Sequence, residues 1–122
     1  MAEVLQVELG ERRYPITFAA NINETVKRAV AELLAAGRKV AVVTDTNLKE
    51  RQGAALNAMF GGSPILTMTP GEGAKSISGF AQAMEFLAAN RIDRTGALFA
   101  FGGGVVGDLA GFAAAAWLRG ID

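Results

Sequence analysis

The stretch Gly96–Leu118, GALFAFGGGVVGDLAGFAAAAWL, decides the fold. An apolar run, ALFAF, passes straight into three glycines and then into an alanine-rich pattern with helical character. Strand, tight turn and helix in that order make a phosphate site, because unpaired N–H groups at the start of the helix favour an anion. Gly102, Gly104 and Gly107 fit the G-x-G-x-x-G spacing, in which glycines permit the turn and a close approach of pyrophosphate to the backbone. The same glycines also suit an ordinary strand-to-helix turn. The fingerprint expects an acidic residue some twenty positions further on, and the chain ends first. From Val105 to Leu118 the pattern is apolar nearly all round, so this helix is expected to be covered on every side by protein not present here, whether the rest of the domain, a second domain or a subunit. At Arg119-Gly120-Ile121-Asp122, where an α/β domain would next supply a strand, the sequence stops, and it reads as a fragment.

Upstream, VLQVEL and YPITFAA alternate apolar and polar residues around Gly10-Glu11, which predicts an antiparallel hairpin of Val4–Leu9 and Tyr14–Phe18. Asn23 is the expected N-cap of a helix through Ala36, with Val26, Val30, Leu33 and Leu34 on its apolar face and Gly37 as its stop. Lys39–Thr44, KVAVVT, is a β-branched run of the kind buried on both faces of a parallel sheet. A helix over Leu48–Phe60, a strand at Ile65–Met68, a helix over Ser76–Asn90 and a strand at Leu98–Phe101 follow. Strands alternating with helices predict a Rossmann-like, open, mainly parallel α/β sheet flanked by helices, with an N-terminal β-hairpin. Ligands of such sheets gather at the carboxyl ends of the strands.

Three loops leave those ends. In Thr44-Asp45-Thr46-Asn47, the Asp45 carboxylate suits a ribose diol and Asn47 a ribose or base, although either residue equally suits a cap on the next helix. In Pro70-Gly71-Glu72-Gly73-Ala74-Lys75-Ser76, Glu72 and Lys75 offer an acceptor and a cation to opposite ends of a nucleotide. The alternative is a solvated ion pair beside an N-cap at Ser76. The third loop is the glycine turn, where Asp108 either complements the helix dipole or meets a hydroxyl or amide of a cofactor.

Composition narrows the chemistry. The chain has 122 residues, 51% of them hydrophobic, enough for one domain with a core. Twelve basic and twelve acidic residues cancel, which leaves no electrostatic case for a nucleic-acid partner or an anionic membrane. Three glycines and Asp108 within the longest apolar stretch argue against a membrane span. There is no cysteine, hence no disulfide or thiolate metal site, and no histidine, hence no imidazole base or imidazole ligand. No secretory signal opens the chain.

Taken together, VVTDTNL, PGEGAKS, FGGGVVGDLAGF and AAAWLRG resemble the N-terminal part of the 3-dehydroquinate synthase family, within the sugar-phosphate cyclases. Iron-dependent alcohol and glycerol dehydrogenases share the fold and a GGG turn but continue differently after the aspartate. Here Asp108 is followed by Leu109-Ala110-Gly111-Phe112, the cyclase form. The family loop often reads GEQYKS where this chain has GEGAKS. The resemblance implies a cytoplasmic lyase that turns 3-deoxy-D-arabino-heptulosonate 7-phosphate, a small-molecule sugar phosphate, into 3-dehydroquinate and phosphate. It implies NAD as cofactor, bound by Asp45, Asn47, Glu72, Lys75, Gly103, Gly104, Val105 and Asp108. It also implies Arg119 as a substrate-binding residue acting across the interface of a homodimer, with a helix-end surface cation as the alternative. Residues 1–122 would be a truncated NAD-binding domain. The helical domain carrying the ligands of a divalent metal, zinc or cobalt, would follow it, so no metal ligand and no catalytic residue is expected here. A deoxy-scyllo-inosose or valiolone synthase, a polyol dehydrogenase and a non-catalytic nucleotide-binding module remain as alternatives.

Overall fold

Consecutive β-branched residues dictate where this chain goes inside. The computed structural model describes residues 2–122. It opens with a hairpin of β1 (Glu3–Val7) and β2 (Tyr14–Phe18), followed by α1 (Asn23–Ala35) and β3 (Val40–Asp45). Two short helices, α2 (Thr46–Arg51) and α3 (Gly53–Phe60), lead to β4 (Ile65–Met68). The chain then runs through α4 (Ile77–Ala89), β5 (Ala97–Ala100) and α5 (Gly104–Ala116). β3 is the central strand of a parallel sheet in the order β4-β3-β5, and Val40 to Thr44 are each 2% exposed or less. Burial on both faces is what a continuous β-branched run satisfies.

Alternation along β3 feeds two cores. Val40 and Val42 pack with Val30 of α1 and with Leu56, Met59 and Phe60 of α3. Val43 packs on the other face with Val106, Leu109 and Ala110 of α5, while Ala41 meets Leu87 of α4 and Ile92. Helices thus flank the sheet on both faces. The strand order steps from β3 to β4 and then back across to β5, so α3 and α4 must lie on opposite faces if both crossovers keep one hand.

Several expectations need correction. The helix expected over Leu48–Phe60 is two helices, broken at Gln52 (φ −123°, ψ 24°). Gly53 follows the break, and glycine supports a helix interior worse than alanine by about 1 kcal/mol, so a change of direction there costs little. Asn23 is the first residue of α1 rather than its cap; the Asn21 side chain accepts from the Asn23 N–H at 2.8 Å. Gly37 does end α1, with φ +77°. Leu34 is half exposed, because it lies about 100° round the helix from Leu33, past the edge of the packed stripe. On α5, Val106, Leu109, Ala110 and Ala113 are buried, and Gly107, Asp108, Gly111 and Phe112 form the exposed face for which cover from protein outside these residues is expected. The helix ends at Ala116, and the Trp117 indole N–H donates to the Ile92 carbonyl at 2.9 Å. The hairpin pairs Glu3–Val7 with Tyr14–Phe18 as a separate two-stranded sheet, and Val4, Leu5 and Phe18 remain more than half exposed.

Candidate functional site

Three parallel strands bring three loops to one end of the sheet. Because the order reverses at β3, the exits of β3 and β5 diverge toward opposite faces, the arrangement that leaves a ligand crevice at a switch point. A cavity of about 180 Å³ lies there. Asp45 lines it from β3, Met68 to Gly71 from the end of β4, and Gly103, Gly104, Val105 and Val106 from the start of α5. Its size suits a pyrophosphate rather than a whole dinucleotide, so the ends of a longer ligand would lie along the open loops.

The glycine turn has the properties of an anion cradle. α5 begins without a side-chain cap, and its first main-chain bond runs from the Gly107 N–H to the Gly103 carbonyl at 3.0 Å. The N–H groups of Gly104, Val105 and Val106 therefore have no acceptor among the described residues. A Cβ at Gly103 or Gly104 would meet nothing within 4 Å, so protein packing does not require glycine at either position. Neither has positive φ. The bare backbone leaves room for an anion to approach these N–H groups.

Asp45 both caps a helix and borders the cavity. One carboxylate oxygen, Oδ1, accepts from the Leu48 N–H at 2.9 Å and caps α2. The other accepts no hydrogen bond among the described residues, and the side chain borders the cavity. Asn47 sits exposed in the first turn of α2, outside the cavity lining. Ser76 caps α4, its Oγ accepting from the Gly79 N–H at 3.1 Å.

Lys75 does not pair chiefly with Glu72. Its ammonium is 2.8 Å from the Asp108 carboxylate and 4.0 Å from that of Glu72, so one cation ties the second loop to the third. The hydrogen bond to Asp108, then the charges of Asp108 and Glu72, raise the Lys75 pKa above the usual lysine value. All three groups are well exposed to solvent, leaving them accessible to a ligand. Arg119 stands apart. It follows the far end of α5, and 13 helical residues carry the chain about 20 Å from the glycine turn.

Two contributors were not singled out from sequence. A Cβ on Gly79 would fall 1.9 Å from the Ala74 carbonyl oxygen, so glycine there lets the 70–75 loop lie against α4. The Thr44 hydroxyl donates to the Phe101 carbonyl at 2.7 Å. A polar residue closing a buried β-branched run was a visible signal for Thr44; Gly79, inside a helical pattern, offered none. Among the described residues no group of three or more His, Cys, Asp or Glu could hold a metal ion, and no helix is long and apolar enough to cross a membrane.

Residues 65–122 match the family described as 3-dehydroquinate synthase N-terminal, a span that includes the 70–76 loop and the glycine turn. A 3-dehydroquinate synthase of Opitutus terrae is 60% identical over all 122 residues, and that of Caulobacter vibrioides is 40% identical over 126 aligned positions. The chain is similar to the N-terminal third of 3-dehydroquinate synthases. It spans 34% of the length of each of these curated relatives. A crystal structure of 2-deoxy-scyllo-inosose synthase superposes with a TM-score of 0.79 at 25% identity, covering 98% of this chain and 34% of that one. A second, described as complexed with carbaglucose-6-phosphate, NAD+ and Co2+, gives a TM-score of 0.78. The 3-dehydroquinate synthase similarity thus takes in both Asp45 and the glycine turn, the two walls of the cavity.

Proposed function

We propose that residues 1–122 are the NAD-binding part of a 3-dehydroquinate synthase, which converts 3-deoxy-D-arabino-heptulosonate 7-phosphate into 3-dehydroquinate and phosphate. The observation that carries this reading is the bare α5 N-terminus, with open space above Gly103 and Gly104, facing Asp45 across the cavity. In this reading the free N–H groups of Gly104 and Val105 bind the pyrophosphate, and Asp45 accepts from a ribose hydroxyl with its uncommitted oxygen. Glu72, Lys75 and Asp108 meet polar groups at the ends of the dinucleotide, and Asn47 flanks it from α2. NAD, when bound, supplies reversible hydride exchange with the sugar phosphate. The divalent metal, zinc or cobalt, does not fit the donors present: histidine is absent, so its ligands and the helical domain that holds them would belong to residues beyond these. Arg119, remote from the cavity, would reach the anionic substrate of a partner subunit in a homodimer. The complete enzyme would work in the cytoplasm.

Gly104→Ala tests the carrying observation. Because Gly104 has ordinary φ and an empty surround, the added methyl should leave the thermal melt near wild type. It should also remove most of the stabilisation that saturating NAD+ confers on the full-length protein. A full wild-type NAD+ shift in the variant would make the turn purely structural. The related cyclase reading keeps the same cofactor site and differs in substrate. Phosphate release from the heptulosonate rather than from glucose 6-phosphate, measured on the full-length protein, separates the two.

A further inference from the structure

Val106 packs against Gly102, but no side chain crowds the two glycines that follow it. A Cβ at Gly103 or Gly104 would meet nothing, and glycine loses more conformational freedom on ordering than any other residue. A cradle of N–H groups favours an anion only while those groups stay aimed at it. The order comes from below. The Phe101 N–H donates to the Val43 carbonyl at 2.9 Å, and the Thr44 hydroxyl donates to the Phe101 carbonyl at 2.7 Å. Both bonds act on the residue immediately before Gly102.

Thr44 is fully buried, the one buried polar side chain among the described residues. It closes a run, Val40-Ala41-Val42-Val43, in which valine would fill the same space without a hydroxyl to satisfy. Next to it Asp45 turns toward the opposite face of the sheet and into the cavity. The end of β3 therefore holds one wall of the cavity and grips the base of the other. We infer that Thr44 is a positioning residue of the nucleotide site, its hydroxyl setting the glycine turn at a fixed distance from Asp45. This rests on the NAD-binding reading above and adds a residue that itself touches no ligand.

The test is NAD+ titration calorimetry on full-length wild type, Thr44→Val and Thr44→Ser, at a temperature where each is fully folded by circular dichroism. Thr44→Val keeps the shape and removes the donor, and should weaken NAD+ binding about tenfold, the scale of one lost hydrogen bond. Thr44→Ser keeps the donor and should restore affinity to within about twofold even though it loses a methyl. A role in packing alone predicts the reverse order, with serine worse than valine. Equal affinity for wild type and Thr44→Val would overturn the inference, as would serine failing to rescue. Should Thr44→Val not fold, the ratio of affinities between Thr44→Ser and Thr44→Ala replaces it, and a ratio of one overturns the inference. Wild type that binds no NAD+ defeats the nucleotide reading itself, an outcome distinct from all of these.

Discussion

Asp45 joins a helix cap to a place in the proposed nucleotide site. Its Oδ1 caps α2 through the Leu48 N–H while the carboxylate borders the cavity. The two roles separate by substitution. Asp45→Ser retains a capping oxygen but no anion, so the melt should stay close to wild type while NAD+ affinity falls about tenfold. Asp45→Ala should lose the same affinity and, in addition, about 1 kcal/mol of stability for the missing cap. Calorimetric titration with denaturant melts on both variants checks this; serine binding NAD+ as well as wild type does would reduce Asp45 to a cap. From sequence the two readings of Asp45 stood level, because an N-cap and a ribose acceptor have the same local signature. The Lys75 partnership was less legible still. Spacing suggested Glu72, three residues away, and only the approach of α5 to the 70–75 loop supplied Asp108.

At the scale of elements, the strands and helices were readable where periodicity and punctuation agreed. β3 and β4 lie within a residue of their expected bounds, and Gly37 ends the first helix region as expected. Gly37 has φ +77° and a Cβ there would touch nothing, so Gly37→Ala isolates backbone strain from packing. The expected cost is about 1 kcal/mol, seen as a lower urea midpoint at unchanged slope. No loss of stability would mean that α1 ends by another means. Elements were misread where a local signal competed with packing. The helix broken at Gln52 looked continuous because Leu48 to Phe60 has helical periodicity throughout. α3 then turns onto α1 to bury Leu56, Met59 and Phe60, a constraint invisible within the segment.

For the molecule as a whole, the strand ends frame one cavity, and among the described residues no side-chain cluster could hold a metal ion. Purified as 122 residues, the chain is expected to release no phosphate from the heptulosonate substrate, even with NAD+ and zinc or cobalt. A catalytic metal of this kind typically takes three protein ligands, and these residues include no histidine and no suitable acidic cluster. Turnover above a no-enzyme control would refute that. The uncovered surface is consistent with further protein contacts: Ile77 is 88% and Phe112 62% exposed, and both border a groove beside Lys75 and Asp108. The last residues also run beside the outer edge of β5, where the Leu98 N–H donates to the Asp122 carbonyl at 2.8 Å.

What could be known from the order of residues was local or compositional: a strand–glycine–helix unit, a doubly buried strand, caps, and the absence of imidazole and thiol. Each follows from the conformational preferences or chemistry of neighbouring residues. Bringing Asp45, Gly71 and Gly103 around one cavity, bonding Thr44 to Phe101 and pairing Lys75 with Asp108 were decided by the tertiary structure. Those contacts join residues up to 58 positions apart on separate strands and helices. They exist because the sheet aligns the carboxyl ends of its strands, and no periodicity within one segment encodes the distance to another.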